Sequence, residues 1–190
     1  MVSLWLVYHY MTIIEQLSVQ LRGYRLLTTD SRLLTSGARP SSGILFPRPM
    51  LTHHDVTVRV RYAETDQMGV VYHSNFLIWF EVGRVELMRS LGFDYKHMEA
   101  EHDTYMVVGE AHCRYHHPAR YDELLIVRAR ILEAKTRTLK FGYEVFRQSD
   151  QKLLATGYTT HIACSRAGRV KHFPDNYKSA FLALLPSASG

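Results

Sequence analysis

Residues 62–81 read YAETDQMGVVYHSNFLIWFE, so reactive side chains stand directly before a strongly apolar run. Apolar residues continue at roughly helical spacing and cover a broad surface, which predicts a helix over residues 75–91 that is largely enclosed by protein. Ser74 is placed to cap the N-terminus of this helix, and Gly92 is placed to end it. The stretch therefore predicts a polar loop that leads into the start of a buried helix.

The segments on either side of the helix alternate with the two-residue period of strands. In DVTVRVRY, residues 55–62, the positions on the predicted buried face are Val56, Val58, Val60 and Tyr62. Beyond a short polar segment, DYKHMEAEHD, further strands are predicted at 104–117, 123–134, 137–148 and 152–165, followed by a helix at 174–184. A strand, one long helix and four strands predict an α+β domain in which an antiparallel five-stranded sheet packs on the helix.

Composition limits the classes of function. A chain of 190 residues that is 46% hydrophobic suits one domain plus an extension. The net charge is +5, but residues 1–50 contribute +3 of it, and the remaining 140 residues carry only +2. That balance does not favour a nucleic-acid binder. The two cysteines, Cys113 and Cys164, form no CxxC pair, which predicts free thiols in a reducing compartment, the cytoplasm.

The first fifty residues differ from the rest of the chain. The apolar run MVSLWLVYHYMTII ends at Glu15, too short to cross a bilayer, and it lacks the basic leader of a secretory signal. A run rich in Gly, Pro and Ser follows at residues 35–49. We expect a disordered or weakly ordered extension over residues 1–52, of which residues 1–49 are dispensable for folding and turnover, and a domain over residues 53–185 without membrane insertion. An organelle-targeting segment or an integral part of the fold are the alternatives for the extension.

Asp66 and the predicted start of the helix suggest a chemistry. Gly69 allows a sharp turn that brings the Asp66 carboxylate back over the unpaired N–H groups of the first helical turn. A carboxylate beside such donors is suited to acyl transfer, because one group attacks or activates water and the others stabilise a developing oxyanion. Spacing alone also permits a plain structural role in which Asp66 caps a turn.

The order of elements and one string of loop residues resemble the hot-dog-fold acyl-CoA thioesterases of the 4-hydroxybenzoyl-CoA thioesterase family, closest to the Tol-Pal-associated short-chain acyl-CoA enzymes. The string is Asp66, Gly69, Val71, Tyr72, His73 and Asn75. The resemblance covers roughly residues 54–183. It implies a sheet wrapped around the long helix, a homodimer or homotetramer, and an active site between subunits.

The resemblance also implies an activity: hydrolysis of a short-chain or aromatic acyl-CoA to the free acid and CoA, without a cofactor. Asp66 is then the base or nucleophile, and the backbone N–H of His73 polarises the thioester carbonyl. The His73 side chain serves as a general acid, orients substrate, or only packs. Gly69, Val71, Tyr72 and Asn75 are expected to position the loop or the substrate. The alternatives are a non-catalytic acyl-thioester-binding hot-dog protein and a hot-dog dehydratase or hydratase.

Other polar residues have weaker claims on function. Glu64 shares strand parity with Asp66, and we expect it, like Glu81 on the helix, to pair with an arginine. His112 and His116 lie about 13 Å apart along a strand, too far to share a zinc ion whose ligands sit about 2 Å from it, so no metal site is expected. The phosphates of CoA require cations. The candidates are Arg120, Arg137 and Lys140.

Overall fold

Five strands form one antiparallel sheet in the computed structural model, which describes residues 53–93, 95–183 and 185. The strands are β1 (His54–Arg59), β2 (Tyr105–Tyr115), β3 (Leu124–Ala134), β4 (Thr138–Arg147) and β5 (Leu153–Cys164). The helices are α1 (Asn75–Ser90), α2 (Tyr95–His102) and α3 (Asp175–Ala183). The spatial order β1-β3-β4-β5-β2 places β1 and β2 at the two edges. The expected α+β hot-dog architecture is confirmed, and the extension expected over residues 1–52 lies outside the described residues.

Two local predictions are wrong. β1 ends at Arg59 and the chain enters a 3₁₀ turn at Tyr62–Glu64, so Tyr62 is 78% exposed and does not belong to the buried face. The last core position before the turn is Val60, whose N–H donates to the carbonyl of Glu123 at 3.0 Å. The polar segment after α1 contains a second helix, α2, which its periodicity does not indicate because Met98 is its one buried side chain among those described.

Helix α1 approaches the sheet closely. The ring of Phe80 stacks on the ring of Tyr143 with centroids 4.4 Å apart and planes at 5°. Glycine at position 157 leaves room for this contact, because a Cβ there would lie 2.5 Å from the Phe80 ring. Gly83 serves in the same way opposite Val127, where a Cβ would come within 2.9 Å of a methyl group. Each large apolar side chain that is buried here stabilises the fold by about 1.5–3 kcal/mol.

The ends of α1 differ in how well they follow the prediction. Gly92 ends the helix as expected, with φ at +81° and the N–H of Phe93 bonded to the carbonyl of Met88 at 3.0 Å. Ser74 stands at the N-cap, but its side chain makes no capping hydrogen bond, because its own backbone is helical rather than extended. Leu77 is 40% exposed, so α1 is not enclosed by the single chain on that side.

The two cysteines are free, as predicted. In the β2–β5 pairing Cys113 lies opposite Gly157 and Cys164 lies opposite Tyr105, which are well separated along the strands. Disulfide formation needs Cα atoms roughly 4–7 Å apart, and these positions are too distant for a bond within the chain. Of the helices in the described part of the chain, none has the length and apolarity that crossing a bilayer requires.

Candidate active site

A tight turn positions Asp66. The N–H of Asp66 donates to the carbonyl of Val70 at 2.9 Å, and the N–H of Gly69 donates to the carbonyl of Asp66 at 3.0 Å. Gly69 has φ at +72°, a conformation that costs other residues about 1–2 kcal/mol. An isolated bridge between Thr65 and Val71 closes the turn. Gly69 therefore makes the predicted turn, in a backbone conformation that only glycine adopts without strain.

The carboxylate of Asp66 divides its two oxygens between structure and solvent. Oδ1 accepts a hydrogen bond from the N–H of Met68 at 2.8 Å, so the turn-capping interpretation is realised. Oδ2 has no hydrogen-bond partner among the described residues, and the side chain is half-buried. Capping and catalysis therefore do not compete, because capping one oxygen holds the carboxylate in place and leaves the other oxygen free.

Most N–H groups around the start of α1 are already paired. Tyr72 donates to the carbonyl of Glu64 at 2.9 Å, Asn75 to that of Tyr72 at 3.0 Å, and Leu77 to that of Ser74 at 3.1 Å. Within the described ranges, the N–H groups of His73 and Ser74 have no acceptor. Two neighbouring donors at the positive end of a helix dipole are suited to a negatively charged oxygen.

The carbonyl of Glu64 holds the loop against the helix. It accepts the N–H of Tyr72 and also the side-chain amide of Asn75, at 2.8 Å. The Glu64 carboxylate is buried, forms an ion pair with Arg61 at 3.1 Å, and lies 3.4 Å from the indole nitrogen of Trp79. The expected pairing of Glu64 with an arginine is confirmed. The Asn75 side chain contacts the backbone of the loop, so its direct role is to hold the loop in place.

Val71 and Tyr72 occupy different environments. Val71 is buried in the core, and its N–H donates to the carbonyl of Ala119 at 2.9 Å, which ties the site to the loop between β2 and β3. Tyr72 is 50% exposed, and its ring lies 4.3 Å from the ring of His73. Tyr72 and His73 thus present a small aromatic surface beside the free N–H groups.

Tyr115 is a site residue that the sequence did not indicate. Its hydroxyl donates to the carbonyl of His73 at 3.0 Å, and its ring lies 6.4 Å from the imidazole. Partial burial, followed by the neighbouring thiol of Cys113, raises the pKa of Tyr115 to about 12, so the hydroxyl keeps its proton as a donor. In the sequence, the surrounding segment from His112 to His117 stands out for its histidines. The signal for Tyr115 is its strand parity along β2, which places its side chain on the face toward α1.

The structure separates the three candidate cations for the CoA phosphates. Arg137 lies in the turn between β3 and β4, at the end of the sheet opposite the loop. The Lys140 ammonium lies 3.8 Å from the ring centroid of Tyr158 on the outer face of the sheet. Arg120 follows Ala119 directly and is exposed. Of the three, Arg120 is the one beside the site.

Glu81 is not part of this loop. It is half-buried on α1 and forms no ion pair within the part of the chain that is described. Burial alone would lower the pKa of Arg84, but Tyr95, then Tyr143 and the carboxylate of Glu81, together outweigh burial and raise it. The expected ion pair of Glu81 with an arginine is therefore not found among the described residues.

No group of three or more metal-ligating side chains occurs among residues 53–93 and 95–183. Two of the histidines that suggested a metal site have other contacts. His112 stacks on Tyr158 with centroids 5.1 Å apart, and the Nε2 atom of His116 lies 3.0 Å from the hydroxyl of Thr156. Both contacts belong to the pairing of β2 with β5.

Comparisons with known proteins cover the whole site. Residues 60–181 match the thioesterase-like superfamily. The acyl-CoA thioesterase YbgC of Haemophilus influenzae is 35% identical over 126 residues, which is 65% of this chain and 90% of that protein. The hypothetical protein TT1821 from Thermus thermophilus is 35% identical, with a TM-score of 0.65, over 71% of this chain and 99% of that one. The DHNA-CoA thioesterase from Staphylococcus aureus is 27% identical, with a TM-score of 0.66, over 70% and 90%.

Proposed function

The chain belongs to the thioesterase-like superfamily, and from this premise we propose that it hydrolyses a short-chain or aromatic acyl-CoA thioester to the free acid and CoA. The observation that carries the proposal is the set of unpaired groups on one loop: Oδ2 of Asp66 and the N–H groups of His73 and Ser74. Thioester hydrolysis needs a base or nucleophile beside the carbonyl carbon and donors for the carbonyl oxygen. The name of the relative YbgC, an acyl-CoA thioesterase, supports the same class.

In the proposed reaction the thioester oxygen accepts hydrogen bonds from the N–H groups of His73 and Ser74. These donors stabilise the charge that develops on that oxygen, and they require no rearrangement because the loop holds them directly before α1. The N–H of Met68 holds Oδ1 of Asp66, which steadies the carboxylate and leaves Oδ2 available to the substrate. No metal or cofactor enters this scheme.

Asp66 has two possible roles with the same products. As a base, Oδ2 takes a proton from water while the water oxygen bonds to the carbonyl carbon. The C–S bond then breaks, and the proton passes from Asp66 to the leaving sulfur, which releases CoA and restores the carboxylate. As a nucleophile, Oδ2 itself bonds to that carbon and CoA leaves. Water then hydrolyses the resulting anhydride to the free acid and restores the carboxylate. A single turnover in heavy-oxygen water separates them, because only the nucleophilic route can place the label in Asp66.

The His73 side chain is proposed to orient substrate. Its ring is exposed and lies against Tyr72, and Tyr115 holds its carbonyl, so the residue forms one wall of the site. Replacement by alanine keeps the backbone N–H. We expect His73→Ala to raise KM more than it lowers kcat, whereas a general acid would lose mainly kcat.

The variant Asp66→Asn tests the proposal. The amide oxygen can still accept the N–H of Met68, so the turn should persist, but the base or nucleophile is lost. We expect kcat to fall by about 10²–10⁴-fold, while CoA binding and the melting temperature stay the same. Asp150→Asn is the matched control, because Oδ1 of Asp150 also accepts the N–H two residues on, Lys152, at 3.1 Å.

The assay should use a panel of acyl-CoAs that differ in chain length and aromaticity, with released thiol as the readout. Unchanged turnover in Asp66→Asn would refute the catalytic role. A protein that binds CoA thioesters without turning any over would be the non-catalytic binder. Addition of water to an enoyl-CoA would indicate the hydratase instead.

We also propose that the protein is a homodimer or homotetramer. Most residues of the edge strand β2 between 109 and 115 are exposed, which leaves an open sheet edge of the kind that proteins usually cover. Leu77, Tyr72 and Tyr115 are 40–50% exposed beside the start of α1. Light scattering should give at least twice the chain mass of 22.0 kDa. A fully active monomer would contradict this assembly.

The cytoplasm is the proposed location. Cys113 and Cys164 are both free thiols, as proteins of a reducing compartment usually have. Thiol labelling of the protein in intact and lysed cells tests this directly. Both cysteines should label only after lysis, and Cys164 only once the protein is denatured, because it is buried. An oxidised or externally labelled protein would contradict the assignment.

A further inference from the structure

We propose that Tyr62, Tyr121 and Arg120 bind the nucleotide end of CoA, with adenine against the tyrosine rings and a phosphate at the guanidinium. The inference rests on the proposed function, in which CoA carries the acyl group. It adds a second contact region, apart from Asp66 and the start of α1, that recognises the carrier and not the acyl chain.

The two tyrosines form an exposed aromatic corner. Tyr62 is 78% exposed and Tyr121 is 58% exposed, yet their rings contact each other with centroids 5.7 Å apart and planes at 90°. A flat base can stack on one ring and place its edge against the other. Stacking of bases on aromatic side chains is a common means of binding nucleotides without reading their sequence. Rings held in this arrangement lose little freedom when a base binds.

Arg120 lies beside this corner, and no carboxylate in the described part of the chain pairs with its guanidinium. The two acids that follow it in the loop are neutralised: Asp122 pairs with Arg59 at 2.9 Å, and Glu123 pairs with Arg147 at 3.0 Å. The guanidinium of Arg120 is exposed and has no ion pair in the described part of the chain. An arginine that is not engaged by carboxylates is suited to a phosphate, which its planar fork binds with two hydrogen bonds.

The corner lies within reach of the thioester site. The hydrogen bond from the N–H of Val71 to the carbonyl of Ala119 connects the two loops at 2.9 Å. His73 lies two residues beyond Val71, and Arg120 is one residue beyond Ala119, so their Cα atoms are less than about 18 Å apart. An extended pantetheine arm spans a comparable distance between its sulfur and its phosphate.

The proposal distinguishes free CoA from a carrier protein. Both present a phosphopantetheine arm, but only CoA carries an adenine for Tyr62 and Tyr121. A chain that uses this corner should therefore prefer an acyl-CoA to the same acyl group on a carrier protein. A partner surface in the oligomer is the other possible occupant of exposed tyrosines, and the experiment separates it.

The test compares one acyl group on CoA and on N-acetylcysteamine, which lacks the nucleotide. For Tyr62→Ala combined with Tyr121→Ala, and separately for Arg120→Gln, we expect KM for the acyl-CoA to rise about tenfold. The value of kcat should stay the same, and so should kcat/KM for the short thioester. Tyr62→Phe keeps the ring and should resemble the native protein. Arg166→Gln removes an exposed arginine at the far end of the sheet and should have no effect.

Calorimetry with adenosine bisphosphate, the nucleotide without its arm, gives a readout that does not need hydrolysis. Binding to the native protein and its loss in both variants would support the subsite, even if no thioester is turned over and the proposed function fails. An unchanged KM for the acyl-CoA would overturn the inference. An equal loss on both thioesters, with dissociation of the oligomer, would show that the corner is a subunit contact and would also overturn it.

Discussion

Two polar regions next to α1 differ in whether their hydrogen-bonding groups have partners. In the site loop, residues 65–74, the free oxygen of Asp66 and the N–H groups of His73 and Ser74 lack partners in the described chain. Beneath the second half of α1 lies an interior network, in which the buried polar side-chain atoms are paired with the exception of Nδ1 of His161. Its members are Arg84, Tyr95, Tyr143, Thr159 and His161.

The interior network consists of two sets of short contacts. Arg84 donates to the hydroxyl of Tyr95 at 2.8 Å. The hydroxyl of Thr159 lies 2.7 Å from that of Tyr143 and 2.9 Å from Nε2 of His161. Burial, and then the charge of Arg84, holds the pKa of His161 well below its usual range, so the ring is neutral at physiological pH.

The difference shows how polar residues divide between folding and function. A polar group buried without a partner costs about 1–3 kcal/mol, so interior groups pair with each other and fix the packing. A group near solvent bears little of that cost, and it stays available to a substrate. Unpaired donors and acceptors on a rigid loop are therefore a better guide to the site than polar residues as such.

The largest effect is expected from a change at Glu64, which should lower both the stability of the protein and its thioesterase rate. Glu64→Ala removes the buried partner of Arg61, the acceptor for the Arg61 N–H at 2.7 Å and the contact to Trp79. Arg61 is 38% exposed in its side chain, so solvent compensates it in part. We expect the free energy of unfolding to fall by about 2–3 kcal/mol, with a loss of thioesterase rate as the loop loosens. Urea denaturation measures the first effect.

Glu64→Gln is the control for that change, because the amide oxygen keeps one acceptor and the side-chain volume. It should recover more than half of the lost stability. If Glu64→Ala proves as stable as the native chain, the loop would not depend on this carboxylate, and the site would be held by the Asn75 contact alone.

A smaller effect is expected from the interior network. Arg84→Met leaves the hydroxyl of Tyr95 without its donor, and should lower the free energy of unfolding by about 1–2 kcal/mol. The double variant with Tyr95→Phe removes both partners and should recover most of that loss. Activity per folded molecule should stay the same in both. A specific loss of kcat in Arg84→Met would place the network in the reaction and would contradict the division between paired interior groups and unpaired site groups.

The smallest effect concerns pH. The pKa of His161 is lowered in the folded state, so below the unfolded value of about 6.5 the unfolded chain binds more protons and stability falls. We expect this histidine to remove about 1 kcal/mol between pH 6.5 and 5.5. His161→Gln should lack this component, which denaturant titrations at the two pH values would reveal as a difference from the native chain. Parallel curves for the two proteins would contradict it.

Much of the fold can be predicted because its signals are local. The strands from β2 to β5 and the helix α1 lie within two residues of the predicted bounds, since alternation and helical spacing follow from one buried face. Tyr62 continues the strand period past the true end of β1, and nothing local marks the 3₁₀ turn. Helix α2 buries Met98 alone among its described side chains, so it has too narrow an apolar face to be recognised.

The candidate site also has one part that local sequence predicts and one part that it does not. Asp66, Gly69 and the start of α1 belong to one continuous segment, so their proximity follows from backbone preferences within a few residues. Tyr115 reaches the carbonyl of His73 from 42 residues away in the chain. Such a contact depends on which strands pair and in which register, and one sequence does not reveal that.

By itself, the sequence determined the α+β class, the turn at Gly69 and the segment that presents Asp66 before a helix. These depend on hydrophobic period and on glycine's access to positive φ, which act over a few residues. Only the tertiary structure decided that Arg120, rather than Arg137 or Lys140, stands beside the site, and that the Ser74 side chain accepts no capping hydrogen bond. Two long-range contacts bring the loop that contains Asp66 next to the loop that contains Arg120: the pairing of β1 with β3 and the hydrogen bond from Val71 to Ala119. Residues this far apart in the chain become neighbours only when such hydrogen bonds form, and local sequence preferences do not specify them.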